Sequence, residues 1–106
     1  MKFFICHGHL FHIDESPYEL EAYASNHHLD VVCFGHTHNP TYYKKENTIF
    51  INPGSMTFPR GQYPHPTYCV FETTNQEVTF YDLKTDSPCN PFEVKKKESF
   101  FKRFFK

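Results

Sequence analysis

Two short apolar runs each end in a histidine pair. Phe3-Phe4-Ile5-Cys6 leads into His7-Gly8-His9, and Val31-Val32-Cys33-Phe34 leads into Gly35-His36-Thr37-His38. Continuous apolar runs this short fit buried strands, over residues 2–6 and 30–34. The segment between them has the signals of a helix. Ser16-Pro17 suits an N-cap followed by the first helical position, and Glu19 stands three residues after Ser16, completing a capping box. Leu20, Tyr23 and Ala24 form an apolar stripe, so the helix is predicted over residues 17–28. Strand, helix and strand in this order make a βαβ unit with parallel strands. Ligands of open α/β sheets bind beyond the carboxyl ends of the strands, where both histidine pairs fall.

The rest of the chain changes character. Thr41 to Lys45 and Thr48 to Ile51 flank the Glu46-Asn47 turn and predict a β-hairpin. Asn52-Pro53-Gly54-Ser55 opens a Pro-rich loop that runs to Pro66. Residues 67–73 and 77–83 alternate apolar with polar around Thr74-Asn75-Gln76, which predicts a second hairpin. The fold class is therefore α/β. With 106 residues the chain has the length of one domain. Residues 1–91 form its body, and residues 92–106 a final strand (92–96) with a basic, Phe-rich tail. That tail could lie on an anionic membrane or contact a partner. Its helical stretch is too short to be stable alone, so the plainer reading of a self-packed tail is preferred.

Composition excludes several classes. A formal charge of −1 argues against a strongly basic nucleic-acid binder, and no specific nucleic-acid partner is expected. No run of about 18 apolar residues marks a membrane-spanning helix. The N-terminal apolar stretch is too short for a signal peptide. Cys6, Cys33, Cys69 and Cys89 form no Cys-x-x-Cys pair and are expected as reduced thiols in a cytoplasmic protein.

Seven of the eight histidines lie in the first 38 residues. Imidazoles two residues apart on an extended loop can face one metal or two adjacent ones, with Gly35 allowing close backbone approach. If the strands are parallel neighbours, His7, His9, His36 and His38 converge. Imidazole suits zinc, manganese, iron and nickel. His12, His27, His28 and His65 lack such context and are expected to be surface or packing residues. His9 is intermediate, a ligand or a donor facing substrate.

The blocks Cys6-His7-Gly8-His9, Phe34-Gly35-His36-Thr37-His38 and Ile51-Asn52-Pro53-Gly54-Ser55, with Pro59-Arg60, resemble the calcineurin-like metallophosphoesterases, small prokaryotic phosphodiesterases in particular. The resemblance covers residues 1 to about 85. It implies the C-terminal part of a four-layer αββα sandwich bearing a two-metal site. His7 and His36 would bind the second metal and His38 the first. His9 has no ligand role in the family pattern; it would shape the loop or protonate the leaving group. Asn52, Gly54, Ser55 and Arg60 would face or rim the substrate. The metal implied is manganese, with zinc, iron and nickel as alternatives, and the substrate a phosphodiester or phosphomonoester.

The family's upstream Asp-x-His, Gly-Asp and Gly-Asn-x-Asp blocks do not occur in this sequence. They supply the remaining ligands, including the bridging carboxylate that a two-metal site needs. Asp14 and Glu15 match no ligand position. The expectation is a truncated metal-dependent phosphoesterase. The alternative is a non-catalytic protein-interaction module on the same fold. A sandwich cut in half exposes a sheet edge, so a homo-oligomer is expected.

Overall fold

The computed structural model describes residues 1–92. Its elements are β1 (Phe3–Ile5), a 3₁₀ turn (His9–Phe11), α1 (Tyr18–Asn26), β2 (Val31–Cys33), β3 (Thr41–Lys45), β4 (Thr48–Asn52), β5 (Thr67–Glu72), β6 (Glu77–Asp82) and β7 (Ser87–Cys89). Four strands form one sheet in the order β1-β2-β4-β3, and three form another in the order β5-β6-β7. β1 and β2 are parallel, with Phe3 opposite Val31 and Ile5 opposite Cys33. β4 joins β2 in parallel and β3 pairs antiparallel with β4. The βαβ unit and both hairpins are thus as expected. Of the final strand and tail predicted for residues 92–106, all but Phe92 lie outside the described residues.

Side-chain alternation along the first sheet builds two cores. Val32 and Phe50 point with Phe34 toward α1, where they meet Leu20 and Ala24. Val31, Ile49 and Ile51 point the other way and meet Phe80 of the second sheet, with Cys33, Cys69 and Val78 around them. Helix, sheet and sheet are therefore stacked, as in the C-terminal part of an αββα sandwich. Leu20 is fully buried, which stabilises the α1 contact by about 2 kcal/mol. Every residue of β4 is buried, since both of its faces are covered and it sits inside the sheet.

Four details differ from the sequence reading. β1 is not a buried strand: it stands at the sheet edge, with Phe3 and Ile5 44% and 77% exposed. The capping box does not form. α1 starts after Pro17 with no side-chain cap, because the Glu19 carboxylate turns to His12 Nδ1 at 3.1 Å. β7 was not expected, since Pro88 reads as a strand breaker. It is tolerated because β7 is an edge strand. Gly35 is not needed for close approach: a Cβ there would meet only the His7 carbonyl oxygen, at 3.8 Å.

Among the described residues no helix is long and apolar enough to cross a membrane. All four cysteines are free thiols. Burial raises the thiol pKa of Cys6 and of Cys33, and pushes Cys69 up to about 11, so all three behave as small apolar groups.

Candidate metal centre

The parallel pairing of β1 and β2 puts their carboxyl ends side by side, and the main chain ties the two loops together. Cys6 N donates to Cys33 O at 3.0 Å, and Gly35 N to His7 O at 3.0 Å. The rings of His7 and His36 consequently sit 4.8 Å apart. His9 joins them, its ring 5.0 Å from His7 and 6.2 Å from His36. His7 Nδ1 and His9 Nδ1 are 3.0 Å apart and share a hydrogen bond. His7 and His9 are exposed, and His36 and His38 half-buried.

His38 does not join the ring cluster by a direct contact. Its Nδ1 donates to the Phe58 carbonyl at 2.9 Å, which leaves Nε2 as the lone-pair nitrogen of the neutral ring. An imidazole bonded in this way is oriented for a metal on its other nitrogen. Both His36 and His38 hold left-handed backbone, with φ of 70° and 59°, a conformation uncommon outside glycine.

Asn52 supports this loop from beneath. It is fully buried, and its amide donates to Gly35 O at 3.2 Å and Thr37 Oγ1 at 3.0 Å. Its carbonyl accepts from Gly54 N at 3.0 Å. Ser55, 8% exposed, accepts from Thr57 N and Phe58 N. Both side chains, expected at the substrate, are spent on the loop itself. Gly54, with φ +90°, lies where a Cβ would fall 2.1 Å from Thr67 Oγ1. Arg60 is exposed, and its main-chain N donates to His38 O at 2.9 Å, which fastens it to the histidine loop.

Sequence reasoning passed over Asp14. Its carboxylate lies against His36 Nε2. His65, expected to be a surface or packing residue, donates its Nδ1 proton to the buried Asp82 at 2.6 Å. His12 pairs with Glu19 and His27 packs on Tyr23, as expected of surface and packing residues.

Neutral imidazoles on adjacent strand tips are the right donors for a divalent transition metal, and the Phe58 carbonyl prepares His38 for one. Among the described residues, however, no three His, Cys, Asp or Glu side chains are placed to hold one ion together. The donors fit a divalent metal in kind, but among the described residues fewer than three of them are placed on one point.

A parallel βαβ unit with histidine loops at its strand ends, an Asn-Pro-Gly-Ser turn beneath them and a second sheet behind defines a metallophosphoesterase-type half-sandwich. Residues 1–76 match the calcineurin-like phosphoesterase superfamily domain, and the chain belongs to that superfamily. It is 39% identical over 83 residues to a probable metallophosphoesterase of Mycoplasma genitalium, covering 74% of this chain and 50% of the relative. It is 38% identical over 63 residues to the phosphodiesterase YfcE of Escherichia coli, covering 59% of this chain and 30% of that protein. A solved structure of a predicted phosphoesterase from Streptococcus pneumoniae superposes with a TM-score of 0.74 at 28% identity, over 80% of this chain and 51% of the other. The chain thus spans half or less of the curated relatives named here.

Proposed function

We propose that this chain carries the histidine half of a divalent-metal phosphoesterase centre. The observation that carries the reading is the convergence of His7, His9 and His36 at the adjoining ends of β1 and β2, with His38 oriented by Phe58 in the same loop. His7 and His36 would hold one metal and His38 a second. Manganese is the proposed ion, with zinc, iron and nickel as the other imidazole-compatible choices. The donors still required are carboxylates, and a second polypeptide segment must bring them. The proposed substrate is a phosphodiester or phosphomonoester.

A divalent cation, when bound, supplies charge neutralisation at the phosphoryl oxygens. This chain's own groups divide the remaining work. His9, exposed and hydrogen-bonded to His7, would hold a proton for the leaving oxygen. The Arg60 guanidinium would attract the anionic substrate from the rim. Asn52, Gly54 and Ser55 would act through the loop they brace. The chain is proposed to self-associate in the cytoplasm through β1, whose only partner among the described strands is β2. The lack of a third convergent donor among the described residues also favours a second reading, a protein-interaction module that keeps the fold without turnover.

Metal content by elemental analysis tests the first reading, on the purified chain beside His36→Asn and His38→Asn. Hydrolysis of bis-p-nitrophenyl phosphate with added Mn²⁺ is measured on the same samples. About one ion per chain, lost in the variants, supports the half-centre. Metal-free wild type in excess Mn²⁺ and Zn²⁺ overturns it and leaves the interaction module.

A further inference from the structure

We propose that Asp82, on the second sheet, is a positioning residue for the loop at the end of β2. Through Tyr63 and His65 it clasps the proline-rich strap of residues 53–66, and the strap in turn fixes His38 and the main chain of Arg60. This role requires no metal at the histidines.

The strap runs from the end of β4 to the start of β5, so it crosses from one sheet to the other. Its first half is spent on the histidine loop. Ser55 Oγ accepts from Thr57 N at 3.1 Å and from Phe58 N at 2.8 Å, which turns the chain. Phe58 O then accepts the His38 Nδ1 proton, and Arg60 N donates to His38 O, both at 2.9 Å. Gly61 follows with φ +91°, and a Cβ there would fall 2.4 Å from Asn39 Oδ1. The strap therefore lies directly on the residue after His38.

Its second half is spent on Asp82. Tyr63 OH and His65 Nδ1 both donate to Oδ2, at 2.5 and 2.6 Å, and their rings meet edge to face with centroids 5.9 Å apart. The other carboxylate oxygen accepts from Lys84 N and Thr85 N in the turn after β6. Asp82 is 4% exposed. A carboxylate this buried needs its lone pairs met, and two of its four donors come from the strap. Hydrogen bonds to an ionised acceptor are also the stronger kind.

The two halves act as one mechanical unit. Tyr63 stands three residues after Arg60, so their Cα atoms are at most about 11 Å apart. Pro59, Pro64 and Pro66 fix φ along the same stretch. Seating Tyr63 and His65 on Asp82 thus leaves Arg60 little room to move, and Arg60 N and Phe58 O are what the strap offers His38. A buried carboxylate at the end of β6 is in this way linked to a loop on the other sheet by an unbroken series of hydrogen bonds.

The test is native-state hydrogen exchange on the full ¹⁵N-labelled chain at neutral pH, with long-range ¹H–¹⁵N correlations to read the His38 tautomer. Phe34 N–H, bonded to Ile51 O within the first sheet, reports global stability. Asp82→Asn leaves one accepting oxygen where two were used. It should lower Arg60 N–H protection about tenfold more than that of Phe34 and turn His38 from the Nδ1–H form into a tautomer mixture. Tyr63→Phe should act in the same direction with a smaller effect, and it decides alone if Asp82→Asn does not fold. Tyr68→Phe removes a hydroxyl bonded to Asp86 on the same sheet and should not single out Arg60. Arg60 and Phe34 protection falling by one common factor in Asp82→Asn and Tyr63→Phe would mean plain destabilisation and overturns the proposal. So does an unprotected Arg60 N–H in wild type, or an effect of Tyr68→Phe on Arg60 equal to that of Tyr63→Phe.

Discussion

The Asn52 side-chain amide donates to Thr37 Oγ1 at 3.0 Å, joining the end of β4 to the middle of the His36–His38 loop. One fully buried carboxamide thereby satisfies three loop groups: the Gly35 carbonyl, the Thr37 hydroxyl and the Gly54 N–H. Asn52→Leu keeps most of the volume and removes all three bonds. Leaving buried polar groups unpaired costs about 1–3 kcal/mol each, and relaxation lets some reach water. A loss of about 3 kcal/mol is expected in urea unfolding, with weaker metal uptake. A loss below about 1 kcal/mol would show that the amide does not hold the loop.

Gly54 and Gly35 flank the same loop but should answer substitution differently. At Gly54 a Cβ meets Thr67 Oγ1 at 2.1 Å and Pro40 Cγ at 3.0 Å, on backbone with φ +90°. Gly54→Ala is expected to cost more than about 3 kcal/mol, combining left-handed strain with a clash against a hydroxyl bonded to Pro53 O. At Gly35 the nearest atom stands at 3.8 Å, so Gly35→Ala should cost under about 1 kcal/mol. Equal losses in thermal or urea unfolding would contradict the local geometry.

Asp82 gathers four donors: Tyr63 OH at 2.5 Å, His65 Nδ1 at 2.6 Å, and the N–H groups of Lys84 and Thr85. The Tyr63 hydrogen bond, then those from His65 and the two main-chain groups, hold its pKa down to about 2. A folded-state pKa below the unfolded value of about 3.9 stabilises the fold above that value. The contribution is lost as pH falls from about 4 through 2. Urea midpoints across this window should drop in wild type and drop less steeply in Asp82→Asn, which starts lower. Parallel curves for the two proteins would place the acid sensitivity elsewhere.

The exposed edge of β1 gives a prediction about assembly. Phe3 and Ile5 present apolar side chains there, and a strand edge with unpaired main chain invites another strand. Light scattering is expected to show an oligomer for wild type, and a shift toward monomer for Ile5→Lys, a charge that edge strands use against pairing. A monomeric wild type at tens of micromolar would remove self-association from the proposal.

Local pattern in the sequence carried the βαβ unit, both hairpins and the meeting of His7 with His36, because short apolar runs and histidines at their ends are local signals. Asp14 was missed for a physical reason. Its partner is 22 residues away, and only the paired turns at Gly8 and His12 bring the two together. Pro88 hid β7, since an edge strand dispenses with the N–H that proline lacks. The capping box Ser16-x-x-Glu19 was present in sequence but lost to competition, with His12 offering Glu19 a better partner. The inward turn of Asn52 could not be separated from a substrate-facing one by residue type, because a carboxamide suits either.

The left-handed backbone at His36 and His38 restricts which amino acids can stand there before any ligand is considered. Alanine at either position would add a main-chain penalty of about 1 kcal/mol to the loss of an imidazole, so an alanine scan would confound ligation with loop collapse. Asparagine tolerates this conformation and is too short to replace the ring. In natural variation, a chain that abandons metal chemistry but keeps its architecture should therefore drift at these sites toward asparagine, aspartate or glycine, while β-branched residues stay excluded.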